Sequence, residues 1–238
     1  MMRPILFLLM LFQFGCATKY ILPANRFMTP ESEGGAFNSR FEFQQTPGNQ
    51  LTADLSNGSV EEGVLTQQIS RTGYLFSTSF FEQFDFFWSH TGAANSLFGG
   101  KFQFLGPSRK GGAGHKMAIT AALGGNEHEI EGSTNVKFEL TGQEFQLLYG
   151  YRFGETIMAY TNLSYSSYNF SGSVDSSDIV IDGLEPKYQT KIYAIYGGME
   201  LDFGPLFGKA ECGYQELQTS FTKTEAHFIY GYSIGFSW

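Results

Sequence analysis

Residues 228–238 read Phe-Ile-Tyr-Gly-Tyr-Ser-Ile-Gly-Phe-Ser-Trp, and every second side chain in this stretch is large and apolar or aromatic. The residues between them are small, apart from Ile229. A period of two is typical of a β-strand with two unlike faces. At about 3.3 Å per residue and about 45° of tilt, a strand of this length spans roughly 25 Å of an apolar layer. The stretch is therefore predicted to be a strand whose bulky face contacts lipid.

The composition also favours a membrane-spanning β protein. Among the 238 residues are 25 Phe, 13 Tyr and 29 Gly, and only 16 % of the residues are charged. After the N-terminus no apolar run approaches the roughly 20 residues that a membrane helix needs. A closed barrel, which pairs every backbone group, is then the remaining spanning structure, with a secreted β-sandwich as the alternative. The net charge of −8 argues against a nucleic-acid partner.

The N-terminus is predicted to be an export signal. Arg3 is followed by a mostly apolar stretch that is too short to anchor the chain, so we expect residues 1–15 to be a signal peptide. The run 15–18, Gly-Cys-Ala-Thr, is similar to the end of a lipobox, which implies cleavage before Cys16 and its acylation. Ordinary cleavage after Ala17 is the alternative. We expect residues 16–35, rich in Pro and Gly, to be an irregular periplasmic lead-in to the barrel.

Alternating runs through residues 36–238 predict ten antiparallel strands. Short connections near 154–155 and 204–205 alternate with long polar ones, such as 47–69 and 171–187. We therefore predict an all-β, transmembrane, up-and-down antiparallel barrel of about ten strands, with eight or twelve as alternatives. The predicted strands are 36–46, 70–79, 84–90, 97–105, 116–124, 137–153, 156–170, 188–203, 206–221 and 226–238.

The C-terminal row resembles the assembly signal of bacterial outer-membrane β-barrel proteins, in which a terminal aromatic residue follows alternating apolar ones. The resemblance implies the outer membrane of a Gram-negative bacterium, contact with its lipid and recognition by the barrel-assembly machinery. We expect a monomer. The positions that match the signal are Tyr230, Tyr232, Ile234, Phe236 and Trp238.

Strand parity predicts which side chains fill the lumen. In residues 145–153, large apolar side chains alternate with Gln146 and Arg152, so these two are expected to point inward. Because opposite charges can pair and a barrel of about ten strands is narrow, we expect a plugged or narrow polar lumen. The inward charges predicted in this way are Arg40, Glu42, Asp85, Lys101, Arg152, Glu200, Asp202, Lys209 and Glu211.

We expect a structural or surface-scaffold role, with no catalytic residues, cofactor or metal. Two alternatives stay open, a small-solute channel and a hydrolase at the outer rim. The hydrolase would use some of His90, His128 and His227, because ten-stranded outer-membrane proteases hold Asp and His at that rim to activate water. The chain contains no paired motif with the spacing of those enzymes.

Overall fold

The computed structural model describes residues 17–23, 26–54, 61–91, 96–130, 135–175, 187–219 and 224–238. These residues form β-strands and one short 3-10 helix at Arg109–Gly111. Among them, no helix is long and apolar enough to cross a membrane. The strands are β1 (Ala17–Pro23), β2 (Ser39–Asp54), β3 (Glu61–Phe81), β4 (Phe84–Thr91), β5 (Ser96–Leu105), β6 (Gly114–Ile130), β7 (Asn135–Phe153), β8 (Ile157–Asp175), β9 (Lys187–Phe203), β10 (Leu206–Thr219) and β11 (Glu225–Ser237).

Strands β2 to β11 form a closed antiparallel barrel in which each strand pairs with the next along the chain. The barrel closes where β11 pairs with β2, from Tyr232 opposite Gln45 to Ser237 opposite Arg40. The predicted fold class, an up-and-down barrel of ten strands, is confirmed. We call the end with the short connections 82–83, 154–156 and 204–205 the turn end, and the opposite end the loop end.

Several strands extend further toward the loop end than the apolar alternation predicted. β3 begins at Glu61, nine residues before the predicted start, and β8 ends at Asp175. Described outward side chains next to these added parts are polar. Gln45 Nε2, for example, donates to Ser70 Oγ at 2.6 Å. Backbone ladders do not need apolar side chains, so the sequence pattern does not reveal these extensions.

An apolar belt surrounds the turn-end half of the barrel. On β7 the outward residues from Phe145 to Phe153 are apolar or aromatic, whereas Gln143 and Thr141, further toward the loop end, are polar. On β11 the belt runs from Phe228 to Trp238, which at about 3.3 Å per residue and 45° of tilt is roughly 24 Å. The parity predicted for these strands is therefore correct, and the belt has the height of a bilayer core.

The described N-terminal residues, 17–23 and 26–34, lead from the edge of the sheet into the lumen. β1 pairs with the loop-end part of β2, with Ala17 opposite Asp54 and Pro23 opposite Gly48. Residues 26–34, which we call the strap, then cross the lumen and are all buried. The chain leaves the lumen at the turn end, where Ser39 N donates to Trp238 O at 3.0 Å.

This placement corrects the expectation that residues 16–35 form a lead-in outside the barrel. The strap is irregular, as expected, but it lies within the lumen. A barrel of eight strands is just filled by its own side chains. A ten-stranded wall leaves space near its axis, and the strap fills that space.

Candidate functional site

The filled lumen is the candidate functional site, and wall side chains hold the backbone of the strap. The strap lies outside the sheet ladder, so its carbonyl groups need other donors. Asn162 Nδ2 donates to Met28 O at 2.9 Å, and Lys209 Nζ donates to Phe27 O at 2.6 Å. The segment is thus anchored to β8 and β10 through its main chain, whatever its side chains contribute.

The loop-end part of the strap is fixed by a buried ion pair. Arg26 Nε donates to Glu144 Oε2 at 2.8 Å, and its Nη2 donates to the second oxygen of the same carboxylate. Arg26 Nη2 also donates to Tyr168 Oη at 2.8 Å, and the Tyr168 hydroxyl donates to Glu144. All three side chains are buried. A bidentate pair of this kind fixes orientation as well as position.

The middle of the strap packs against an apolar patch of the wall. The side chain of Met28 is buried there, and an unbranched thioether fills irregular gaps well. Removing this contact would open a cavity between the strap and several strands. The wall residues of this cluster are Leu75, Phe87, Leu97, Ala118, Ala122 and Leu148.

Toward the turn end the strap presents two carboxylates to a cationic part of the wall. Glu31 accepts hydrogen bonds from Arg152, with Arg152 Nε at 2.6 Å from Glu31 Oε1. Glu33 lies 3.3 Å from Arg40 Nε and 3.5 Å from Arg109 Nη1. The strap is therefore complementary in charge to the wall at both ends. Arg26 faces a carboxylate at the loop end, and Glu31 and Glu33 face arginines at the turn end.

The nine lumen charges predicted from parity are all buried. Arg152, Arg40, Glu200 and Asp202 belong to one cluster, in which Arg40 Nη2 lies 3.0 Å from Glu200 Oε2 and Arg152 Nη1 lies 2.6 Å from Asp202 Oδ2. Glu211 accepts instead from Tyr160 Oη, at 3.3 Å. The remaining pairs are Lys101 with Asp85 at 2.9 Å and Lys209 with Glu42 at 2.6 Å.

Sequence reasoning missed part of this network. Lys116 and Glu144 could have been found, since Lys116 shares the inward parity of Ala118 on β6, and Glu144 that of Gln146 on β7. Arg109 lies in the connection between β5 and β6, where no period applies. The charges of the strap had no signal in the sequence, because an irregular segment does not reveal what lies around it.

The described residues form further concavities besides the filled lumen. A vestibule of about 620 Å³ opens at the turn end and is lined by Arg109, Arg152 and Asp202, among others. A shallower apolar groove of about 1010 Å³ runs around the outside between rows of belt side chains such as Leu163 and Ile195. The groove belongs to the belt, whereas the vestibule reaches the charged network.

His90 and His227, the two histidines considered for a hydrolase whose side chains are described, lie on opposite faces of the wall. His90 lies on the outward face of β4, stacked on Trp88, with its Nδ1 at 3.0 Å from Ser96 Oγ. His227 has the inward parity of Ile229 and pairs with Glu225 at 3.2 Å. The side chain of His128 lies outside the described residues. Within the described parts of the chain, no cluster of His, Cys, Asp and Glu is arranged to hold a metal ion.

The residues predicted as an assembly signal, Tyr230 to Trp238, lie on the outward face of β11. Cys16, the predicted acylation site, lies outside the described residues. No protein-family model matches the chain, and no curated protein is significantly similar to it. The function is therefore argued from the geometry of the barrel itself.

Proposed function

We propose that the protein is an outer-membrane β-barrel of the surface-scaffold type, with a lumen closed by its own strap and without enzymatic activity. The observation that carries the proposal is the burial of all nine strap residues. Buried ion pairs hold the strap to the wall, from Arg26 to Glu144 and from Glu31 to Arg152. A barrel filled in this way resists solute passage and keeps its shape. The surface that is available for contacts with other molecules is then the outer surface of the barrel.

Polar outward side chains above the belt support the scaffold role. Above the belt, β9 carries Gln189 and Lys191 on its outward face, and Gln189 Nε2 donates to Asn169 Oδ1 of β8 at 3.3 Å. Such a surface suits water rather than lipid. With the turn end in the periplasm, the loop end stands clear of the membrane and presents a rigid, polar sheet at the cell surface.

The proposal includes the lipid of the outer membrane and the barrel-assembly machinery as partners, and a monomeric state. Size measurements in detergent would decide the oligomeric state. The proposal also includes acylation of Cys16 as an additional membrane anchor. Mass spectrometry of the mature N-terminus decides this point, since a chain that begins at Thr18 rules out acylation.

Single-channel recording tests the closed lumen. The wild-type protein in planar bilayers should show no conductance steps above the baseline, because the strap and the paired charges fill the cross-section. A small-solute channel predicts regular steps with defined ion selectivity. Conductance steps of that kind in the wild type would reject the scaffold function in favour of the channel function.

An arginine scan on one strand tests membrane insertion. Ile195→Arg places a charge on the outward face of β9 within the belt, and the free energy of unfolding in lipid vesicles should fall by about 2–4 kcal/mol. Gln189→Arg lies on the same face of the same strand above the belt and should change stability by less than about 0.5 kcal/mol. Equal effects of the two substitutions would exclude lipid around Ile195.

A further inference from the structure

The carboxylate of Glu31 lies in a cradle of cationic donors. Arg152 donates through Nε to Oε1 at 2.6 Å and through Nη2 to Oε2. Lys116 Nζ lies 3.0 Å from Oε1. The three side chains are at most 2 % exposed. Both oxygens of the carboxylate are therefore bound by charged donors away from water, in the bidentate geometry that guanidinium forms with a planar carboxylate.

Lys116 is positioned independently of Glu31. Its ammonium group donates to the carbonyl oxygens of Pro107 at 2.5 Å, Ser108 at 3.2 Å and Gly112 at 2.8 Å. All three belong to the connection between β5 and β6, which folds over the turn end of the lumen. These carbonyls carry no net charge, so the charge of Lys116 is balanced by the carboxylate that faces it.

Arg152 is positioned independently as well. Its Nη1 donates to Asp202 Oδ2 at 2.6 Å and to Glu155 O at 3.1 Å, and its Nη2 lies 3.1 Å from Glu200 Oε1. With the contacts to Glu31, all nitrogen atoms of the guanidinium are used. If Glu31 were shortened, Nε and one N–H of Nη2 would stay aimed at the vacated position, because the other contacts hold the plane of the group.

The vestibule of about 620 Å³ brings solution to one side of Arg152, which lines it, whereas Glu31 and Lys116 do not line it. A small anion that takes the position of the Glu31 carboxylate would therefore enter past Arg152. We propose that Arg152 and Lys116 form a carboxylate-binding site that Glu31 fills as a tethered ligand, and that a free small carboxylate binds there when the side chain is absent. This assigns a ligand class to the lumen, which the scaffold role does not.

Chemical rescue tests the proposal with the full-length protein in detergent. Glu31→Ala should unfold at a lower temperature than the wild type. Replacing chloride by acetate at constant ionic strength should raise this temperature saturably, by at least about 3 °C. The wild type, whose site is filled, should not respond. A Glu31→Ala protein that responds equally to acetate and chloride would overturn the site.

Two variants separate a vacated site from general salt effects. Glu31→Gln keeps the volume of the side chain, so it should be destabilised but insensitive to acetate. Glu33→Ala removes the neighbouring strap carboxylate, which lies 3.3 Å from Arg40 and is not held bidentately. Its response should be less than half that of Glu31→Ala. Equal responses in the three variants would contradict a specific site.

Phosphate distinguishes the class of anion. A planar carboxylate matches the fork of Arg152, whereas a tetrahedral phosphate is larger and carries more charge than Glu31 does. Phosphate at the same ionic strength should therefore rescue less than acetate, and an equal or greater effect would refute the carboxylate assignment. If Glu31→Ala does not fold, the readout becomes the refolded yield, which should rise in acetate and not in chloride. An equal yield in both would refute the site.

Discussion

An Arg152→Glu variant is expected to lose about 3–5 kcal/mol of stability, the scale of a broken buried ion pair. The guanidinium donates to Glu31 and Asp202 and lies 3.1 Å from Glu200. A glutamate in its place would face those three carboxylates, whose side chains are at most 8 % exposed. Denaturant unfolding in detergent, monitored by the heat-modifiable migration of the barrel on gels, measures the loss.

Charge reversal at the exposed Lys110 of the same end is the matched control. Lys110→Glu changes the net charge by the same amount, but its ammonium group contacts the amide oxygen of Asn38, at 2.8 Å, in an exposed position. Its effect should stay below about 0.5 kcal/mol. If water filled the lumen, it would screen both reversals, and Arg152→Glu would shift ion selectivity with little loss of stability. That result would reject the closed lumen.

Replacing both Phe236 and Trp238 by serine is expected to abolish assembly of the barrel. Trp238 closes the barrel by exchanging two backbone hydrogen bonds of 3.0 Å with Ser39. Its ring lies 5.3 Å from that of Phe236 and 6.3 Å from that of Phe76, across the junction of β11, β2 and β3. Membrane fractions should contain no heat-modifiable form of the double variant, and the protein should be degraded or aggregated.

The control uses the other end of the same row and a neighbouring ring. Phe228 points outward on β11 like Phe236, but it lies beyond Tyr232, where the pairing with β2 ends, and outside the predicted signal. Its ring lies 5.2 Å from that of Tyr214 on β10, which also points outward. Serine at both Phe228 and Tyr214 removes comparable aromatic surface without touching the closure. These variants should still assemble, with reduced stability. Assembly of the Phe236 and Trp238 variant at wild-type levels would show that the closure contacts are dispensable.

The wall charges could be predicted from the sequence because parity is a local property. Once Phe145 and Tyr149 face outward, Gln146 and Arg152 must face inward, whatever lies opposite them. The partners of those charges depend on strands far apart along the chain. Arg152 pairs with Glu200 and Asp202 of the wall, but its bidentate partner is Glu31, which is 121 residues away.

The sequence by itself determined the antiparallel barrel of about ten strands, their outward apolar rows and the inward direction of Arg40, Lys101 and Lys209. These features follow from a period of two that each strand carries within itself. The tertiary structure alone decided that residues 26–34 fill the lumen. An irregular segment has no period, and its position follows from the volume that ten strands leave free and from wall charges that meet only when the barrel closes.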